Sequence, residues 1–180
     1  NTIIFKKKEA YSLFKKFSYS KAVKLLNEII KEDKNDYACF FLLGTSYLYE
    51  KDLDNSEKNL KISIQLNQKY HNSIHNLGIV YQLKENFNEA INLFIKALNL
   101  QPKNLGTLTH LAETYEKIKS FDKAKQYYNI ALGIESKSKE ANHGMARISL
   151  KFGYHKQGLN FLQKSTGLIR FSEKKFEIIE

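Results

Sequence analysis

His71 and His75 stand four residues apart, a spacing at which one helix face can present two imidazoles to a metal ion, and His110 lies further along. No Cys or carboxylate falls where it would complete the shell, so the three are expected as surface or groove side chains, with no metal and no cofactor. Cys39, beside Phe40, is expected as a small buried hydrophobe rather than a nucleophile, and as the single Cys it excludes an intramolecular disulfide. There is no HExxH, GxSxG, GxxxxGK[ST] or GxGxxG, so an enzyme within these residues is not expected. Lys and Arg number 29 against 19 Asp and Glu, a net charge of +10. Only Arg147 and Arg170 offer planar forks for bidentate phosphate or base-edge contacts; the rest are Lys. Such basicity points to acidic partners in general.

The elements that must position these residues are helices. Eight Gly and one Pro leave little material for β-turns, and Lys, Leu, Glu, Gln and Ala recur at three- and four-residue spacing. An apolar share of 42% is enough for one or two ordinary cores. The longest nearly apolar stretch, 38–49, is too short to span a bilayer. The lone Cys fits a reducing compartment, and a cytoplasmic location is expected. The chain opens on Asn1 without a signal pattern and reads as a piece of a longer protein.

Sliding the sequence against itself by 34 residues exposes a repeat. One column holds Ala10, Gly44, Gly78, Ala112 and Ala146; twelve residues later another holds Ala22, Ser56, Ala90, Ala124 and Gly158. All ten are small. Flanking columns are large: Leu13, Tyr47, Tyr81 and Tyr115, then Leu26, Leu60, Phe94, Tyr128 and Leu162. This pattern predicts pairs of antiparallel helices that approach closely at the small residues, with large side chains filling the space on either side. Ser20, Asp54, Asn88 and Asp122 are the expected N-caps of the second helices. A helix pair cannot cover its own apolar face, so the pairs must stack into an α-solenoid.

Residues 71–104 carry Leu77, Gly78, Tyr81, Ala90, Phe94, Ala97 and Pro102 at fixed offsets, and 105–138 carry Leu108, Leu111, Ala112, Tyr115, Ala124, Tyr128 and Ala131. This pattern resembles the tetratricopeptide repeat family. Repeat 37–70 keeps Phe40, Leu43, Gly44 and Tyr47; repeat 3–36 keeps Ala10, Leu13, Ala22 and Leu26; repeat 139–172 keeps Met145, Ala146, Gly158 and Leu162. The expected fold is therefore all-α, a right-handed α-solenoid of about five helix-turn-helix repeats over 1–172. A tail, 173–180, is expected as the start of a capping helix or a following domain, and the apolar Ile169, Phe171, Phe176, Ile178 and Ile179 should be covered by a short final helix, a following domain or another copy of the chain, the first two being favoured.

In such a stack the first helix of each pair lines a concave face. The stripe pointing away from the packing columns is Lys7, Tyr11 and Phe14; Phe41, Thr45 and Leu48; Asn72, His75, Ile79 and Gln82; Thr109, Glu113 and Glu116; His143, Arg147 and Leu150. This is the candidate groove for a peptide segment or protein surface, aromatic toward the N-terminus and of mixed charge toward the C-terminus. Phe14 and Leu48 equally fit a packing role between helix pairs. The family's carboxylate-clamp pocket is not expected, because the matching slots of the first three repeats hold Lys7, Tyr11, Leu42, Asn72 and Asn76. The leading expectation is a protein-interaction scaffold. One alternative is a recruiting module of a larger enzyme. Another is an RNA-binding helical repeat, against which stand Glu113 and Glu116 in the groove and lysines gathered in the first and last repeats.

Overall fold

A computed structural model describes residues 2–166 together with the backbone of 169–171 and 176–178. The chain divides into two compact units, Asn1–Leu100 and Gln101–Glu180. The first holds α1 (Thr2–Lys15), α2 (Tyr19–Glu32), α3 (Tyr37–Tyr49), α4 (Leu53–Leu66), α5 (His71–Leu83) and α6 (Phe87–Leu100). The second holds α7 (Leu105–Lys117), α8 (Phe121–Ile134), α9 (Lys139–Lys151), α10 (His155–Thr166), and the strands β1 (Ile169–Phe171) and β2 (Phe176–Ile178). Helices α3, α5, α7 and α9 start 34 residues apart, as the repeat requires.

Consecutive helices form hairpins, and hairpins stack within each unit: α2 on α3 and α4 on α5 in the first, α8 on α9 in the second. First helices also touch one another, α1 with α3, α3 with α5, and α7 with α9. All ten members of the two small columns are buried, which is the close approach the sequence demanded. At Gly78 a Cβ would lie 2.6 Å from the Phe94 ring, so the ring uses the space that glycine leaves. Ser56 belongs in its column for a polar reason as well, since its hydroxyl donates to the Gly44 carbonyl across the hairpin at 2.7 Å. Leu26, Leu60, Phe94 and Tyr128 are fully buried and fill the large column.

The second helices begin earlier than the expected caps. The cap positions are Ser18, Asp52 and Ser120, with α6 starting right after Asn86, so Ser20, Asp54, Asn88 and Asp122 fall inside the first turn. The cause is how the first helices end. Phe17, Lys51, Glu85 and Lys119 all have φ near +60°, and Gly153 has φ of +81°. One left-handed residue turns the chain, and the next amide donates back to the carbonyl five residues earlier: Ser18 to Leu13, Asp52 to Tyr47, Asn86 to Tyr81, Ser120 to Tyr115 and Tyr154 to Ser149, at 2.8–2.9 Å. The second helix then starts at once. Four of these five turns lack the glycine that relieves Cβ strain in this region. Lys51→Gly and Lys119→Gly are each expected to raise stability by about 0.5–1 kcal/mol, and Gly153→Ala to lower it by about 1 kcal/mol. Urea denaturation of the three variants checks this.

The helix expected in the tail is replaced, where the backbone is described, by a two-stranded antiparallel hairpin pairing Ile169 with Ile178, Arg170 with Glu177 and Phe171 with Phe176. Both segments alternate apolar and charged residues with β-branched or aromatic types, a two-residue period that suits a strand rather than a helix. The remaining tail residues lie outside the described ones. No helix among the described residues is long and apolar enough to cross a membrane.

Candidate functional site

In the first unit the predicted stripe lies on α1, α3 and α5, which run side by side. Lys7 is drawn to one edge, where it pairs with Asp33 at 2.8 Å and Asp36 at 2.6 Å. These partners hold its ammonium above the usual lysine range. Asp36 also caps α3, accepting from the amides of Ala38 and Cys39. Burial pushes its carboxyl up, but the hydrogen bonds from Lys7 and Cys39 outweigh this and hold it below the ordinary value. Cys39 is buried, and burial with Asp36 beside it pushes the thiol up to about 12, so at neutral pH it stays protonated as a small core residue.

Tyr11 is exposed, with the Lys15 ammonium 5.6 Å from its ring. Phe14 is half-buried between Tyr19 and Tyr49, and Leu48 packs against the cluster of Leu60, Leu77 and Val80. Both therefore pack, as the alternative reading allowed. Phe41 meets the edge of Tyr70 with centroids 5.2 Å apart. Thr45 is only 4% exposed and accepts from the Asn76 side chain of the next first helix at 2.8 Å. Asn72 is exposed; His75, Ile79 and Gln82 are half-buried, and His75 stacks on His71 with rings 5.8 Å apart.

Hairpin stacking in this unit is reinforced on the side of Glu57. That carboxylate on α4 accepts from Lys61 and, across to the next hairpin, from Lys84 and Tyr81. The bonds from Lys61 and Lys84, opposed by burial and aided by Tyr81, hold Glu57 at about 2 against an ordinary 4.5. Because the folded value lies below the unfolded one, this contribution is complete above about pH 4.5 and disappears as pH falls toward about 2. The gap in urea midpoint between wild type and Glu57→Gln is expected to be constant from pH 7 to 5 and to shrink below that.

In the second unit α7 and α9 carry Thr109, Glu113, Glu116, His143 and Arg147. Thr109 is 5% exposed, its hydroxyl donating to the carbonyls of Leu105 and Gly106. The others form a polar row. Arg147 grips Glu116 with two bonds, Nε to Oε1 at 3.1 Å and Nη2 to Oε2 at 3.0 Å. The Tyr128 hydroxyl donates to the same Glu116 Oε2 at 3.0 Å and lies 3.2 Å from Arg147 Nη2. Burial first, and the Glu116 charge second, push the Tyr128 phenol far above its ordinary range, so it remains a donor. Next to this trio stand Glu113, pushed up by burial, and His110, pushed down by burial, with His110 Nδ1 at 3.6 Å from Glu113 Oε2. His143 is half-buried on α9.

Tyr128 and His110 are absent from the predicted stripe. Tyr128 reads in sequence as a column filler, and a signal for its second role is Gly144 opposite it on α9, which leaves room for the ring. The pairs Thr45–Asn76 and Glu116–Arg147 both join residues 31 apart. That separation is one period less three residues, so it can be searched for along the sequence.

A model of the tetratricopeptide repeat matches residues 70–137, within the stretch where the small columns, the hairpins and the polar row of α7 all lie. The chain belongs to the tetratricopeptide repeat family. This tetratricopeptide-repeat chain is 26% identical over 147 residues to anaphase-promoting complex subunit 3 of Schizosaccharomyces pombe, covering 81% of this chain and 22% of that protein. It is 30% identical over 121 residues to BBSome complex member BBS4 of Bos taurus, covering 67% and 23%. The chain thus spans about a fifth of the length of these curated relatives. Among solved structures, MamA 41-end from Desulfovibrio magneticus RS-1 superposes with a TM-score of 0.82 at 13% identity, covering 92% of this chain and 97% of that one. A second MamA crystal structure gives 0.77 at 17% identity, covering 86% and 91%. These likenesses establish the all-α helical-repeat solenoid fold, and the family is one of protein-interaction scaffolds.

Proposed function

We infer that this tetratricopeptide-repeat chain holds a peptide segment of a partner protein against the exposed side of the first helices of its second unit, with the row on α7 and α9 as the specificity-bearing part. The observation that carries the reading is the state of that row. Glu113, Glu116 and His143 are half-buried on adjacent helices rather than fully solvated, and Arg147 is clamped by two bonds with its side chain 51% exposed. A guanidinium fixed in this way meets a backbone carbonyl with little further ordering, which favours recognition over a freely rotating surface charge. The first unit, taken by itself, presents Tyr11, Phe41 and Asn72 on its own first helices, apolar and amide groups of the kind a peptide surface uses. Two carboxylates beside a single arginine make the row a poor phosphate site and favour a peptide over a nucleic acid.

The test is to select peptides from a random displayed library on the wild-type chain and to measure the affinities of the selected sequences for Glu113→Ala, His143→Ala and Arg147→Ala. These positions are half-buried or exposed, so the fold is expected to survive. Affinity is expected to fall at least tenfold in Arg147→Ala. Peptides bound equally by all three variants would refute the groove assignment.

A further inference from the structure

The loop end of the second unit departs from the repeat in a way the fold does not need. At the cap position of the second helix the other hairpins place Ser18, Asp52, Asn86 and Ser120, short polar residues of capping type, of which Asp52 accepts from the Asn55 amide while Ser18 and Ser120 make no side-chain cap bond. The last hairpin places Tyr154 there. The backbone is the same, with the Gly158 amide donating to the Tyr154 carbonyl at 2.9 Å as the Ala124 amide does to Ser120. A phenol is a poor cap, and the Tyr154 side chain stands out of the protein, 64% exposed. Phe152, two residues earlier, is also half exposed and meets Phe121 edge to face at 5.3 Å. Together these aromatics and the start of α8 line an open cleft of about 490 Å³.

Its rim is cationic. Lys119, Lys123 and Lys125 line the cleft and Lys151 adjoins it, against Asp122 as the one acid among the lining residues. The Lys125 ammonium, paired with Asp122 at 3.1 Å, lies 5.9 Å from the Phe152 ring centre, and that of Lys151 lies 5.3 Å from Phe121. With ammonium groups already over these two rings, stacked nucleobases would have to displace them, whereas carboxylates can pair with Lys151 and the rim lysines while an apolar side chain packs on the exposed surfaces of Phe152 and Tyr154. We propose that this cleft, outside the first-helix groove, is a second docking site, for an acidic peptide segment carrying an aromatic or branched aliphatic anchor.

The test uses a fluorescein-labelled peptide of about ten residues, Asp and Glu flanking a central Phe-Leu pair, titrated by anisotropy at about 0.05 M salt, where surface charges are weakly screened. The wild-type chain is expected to bind it. A Lys123→Glu, Lys151→Glu double variant is expected to weaken binding at least tenfold, and His143→Ala, in the groove, to leave it unchanged. Tyr154→Asn separates function from structure. It restores a capping residue, so Tm is expected to rise by about 2 °C while peptide affinity falls at least tenfold. The proposal is overturned if Tyr154→Asn binds as wild type or melts lower, if His143→Ala abolishes binding, or if an unlabelled single-stranded oligonucleotide binds more tightly and displaces the peptide.

Discussion

Gly144→Ala is expected to destabilise the second unit by about 2–3 kcal/mol, although alanine is the better helix former by about 1 kcal/mol. A Cβ at this position would fall 2.1 Å from Cζ of Tyr128 and within 2.5 Å of two further ring atoms. The ring is fully buried and its hydroxyl is fixed by Glu116 and Arg147, so it cannot swing aside, and α8 and α9 must separate instead. The polar row depends on the same contact, because only a ring threaded past Gly144 delivers its hydroxyl to Glu116. Shortening the obstacle should relieve the clash. Tyr128→Leu in the Gly144→Ala background is expected to cost at least 1 kcal/mol less than the two single changes added together. Urea denaturation of the two singles and the double gives this coupling. Additive costs would show that the glycine is not there for the ring.

Phe94→Ala is the largest expected loss in the first unit, about 4 kcal/mol. The ring has no solvent exposure, lies against Gly78 and contacts His75, so its removal opens a cavity between α5 and α6 that backbone movement can close only in part. Each hairpin leans only on its neighbours, and the damage should therefore be local. Hydrogen exchange is expected to accelerate most in α5 and α6, with α1 and α2 least changed. Uniform acceleration through α1 to α6 would contradict the nearest-neighbour picture.

What the sequence revealed and what it hid have physical causes. Two helices can come close only where both lack bulk, so Ala10 and Ala22, or Gly78 and Ala90, leave a visible mark at a fixed period. The ends of the first helices leave no such mark. Phe17, Lys51, Glu85 and Lys119 adopt the left-handed conformation without glycine, imposed by the packing on either side, and the second helices consequently begin two residues ahead of their expected caps. Threonine misleads in the groove for another reason. Thr45 and Thr109 are polar in sequence but bury their hydroxyls by bonding to Asn76 and to their own helix. In the tail the apolar residues are legible, and their two-residue alternation suits the strands that form there rather than a helix.

The proposed role of the protein turns on which of its surfaces a bound peptide touches. A peptide selected on the wild-type chain, added to isotopically labelled protein, can be followed by NMR chemical-shift perturbation. The predicted result is that the largest shifts fall on Glu113, Glu116, His143 and Arg147 of α7 and α9. Shifts confined to the second helices, with α7 and α9 unperturbed, would contradict it.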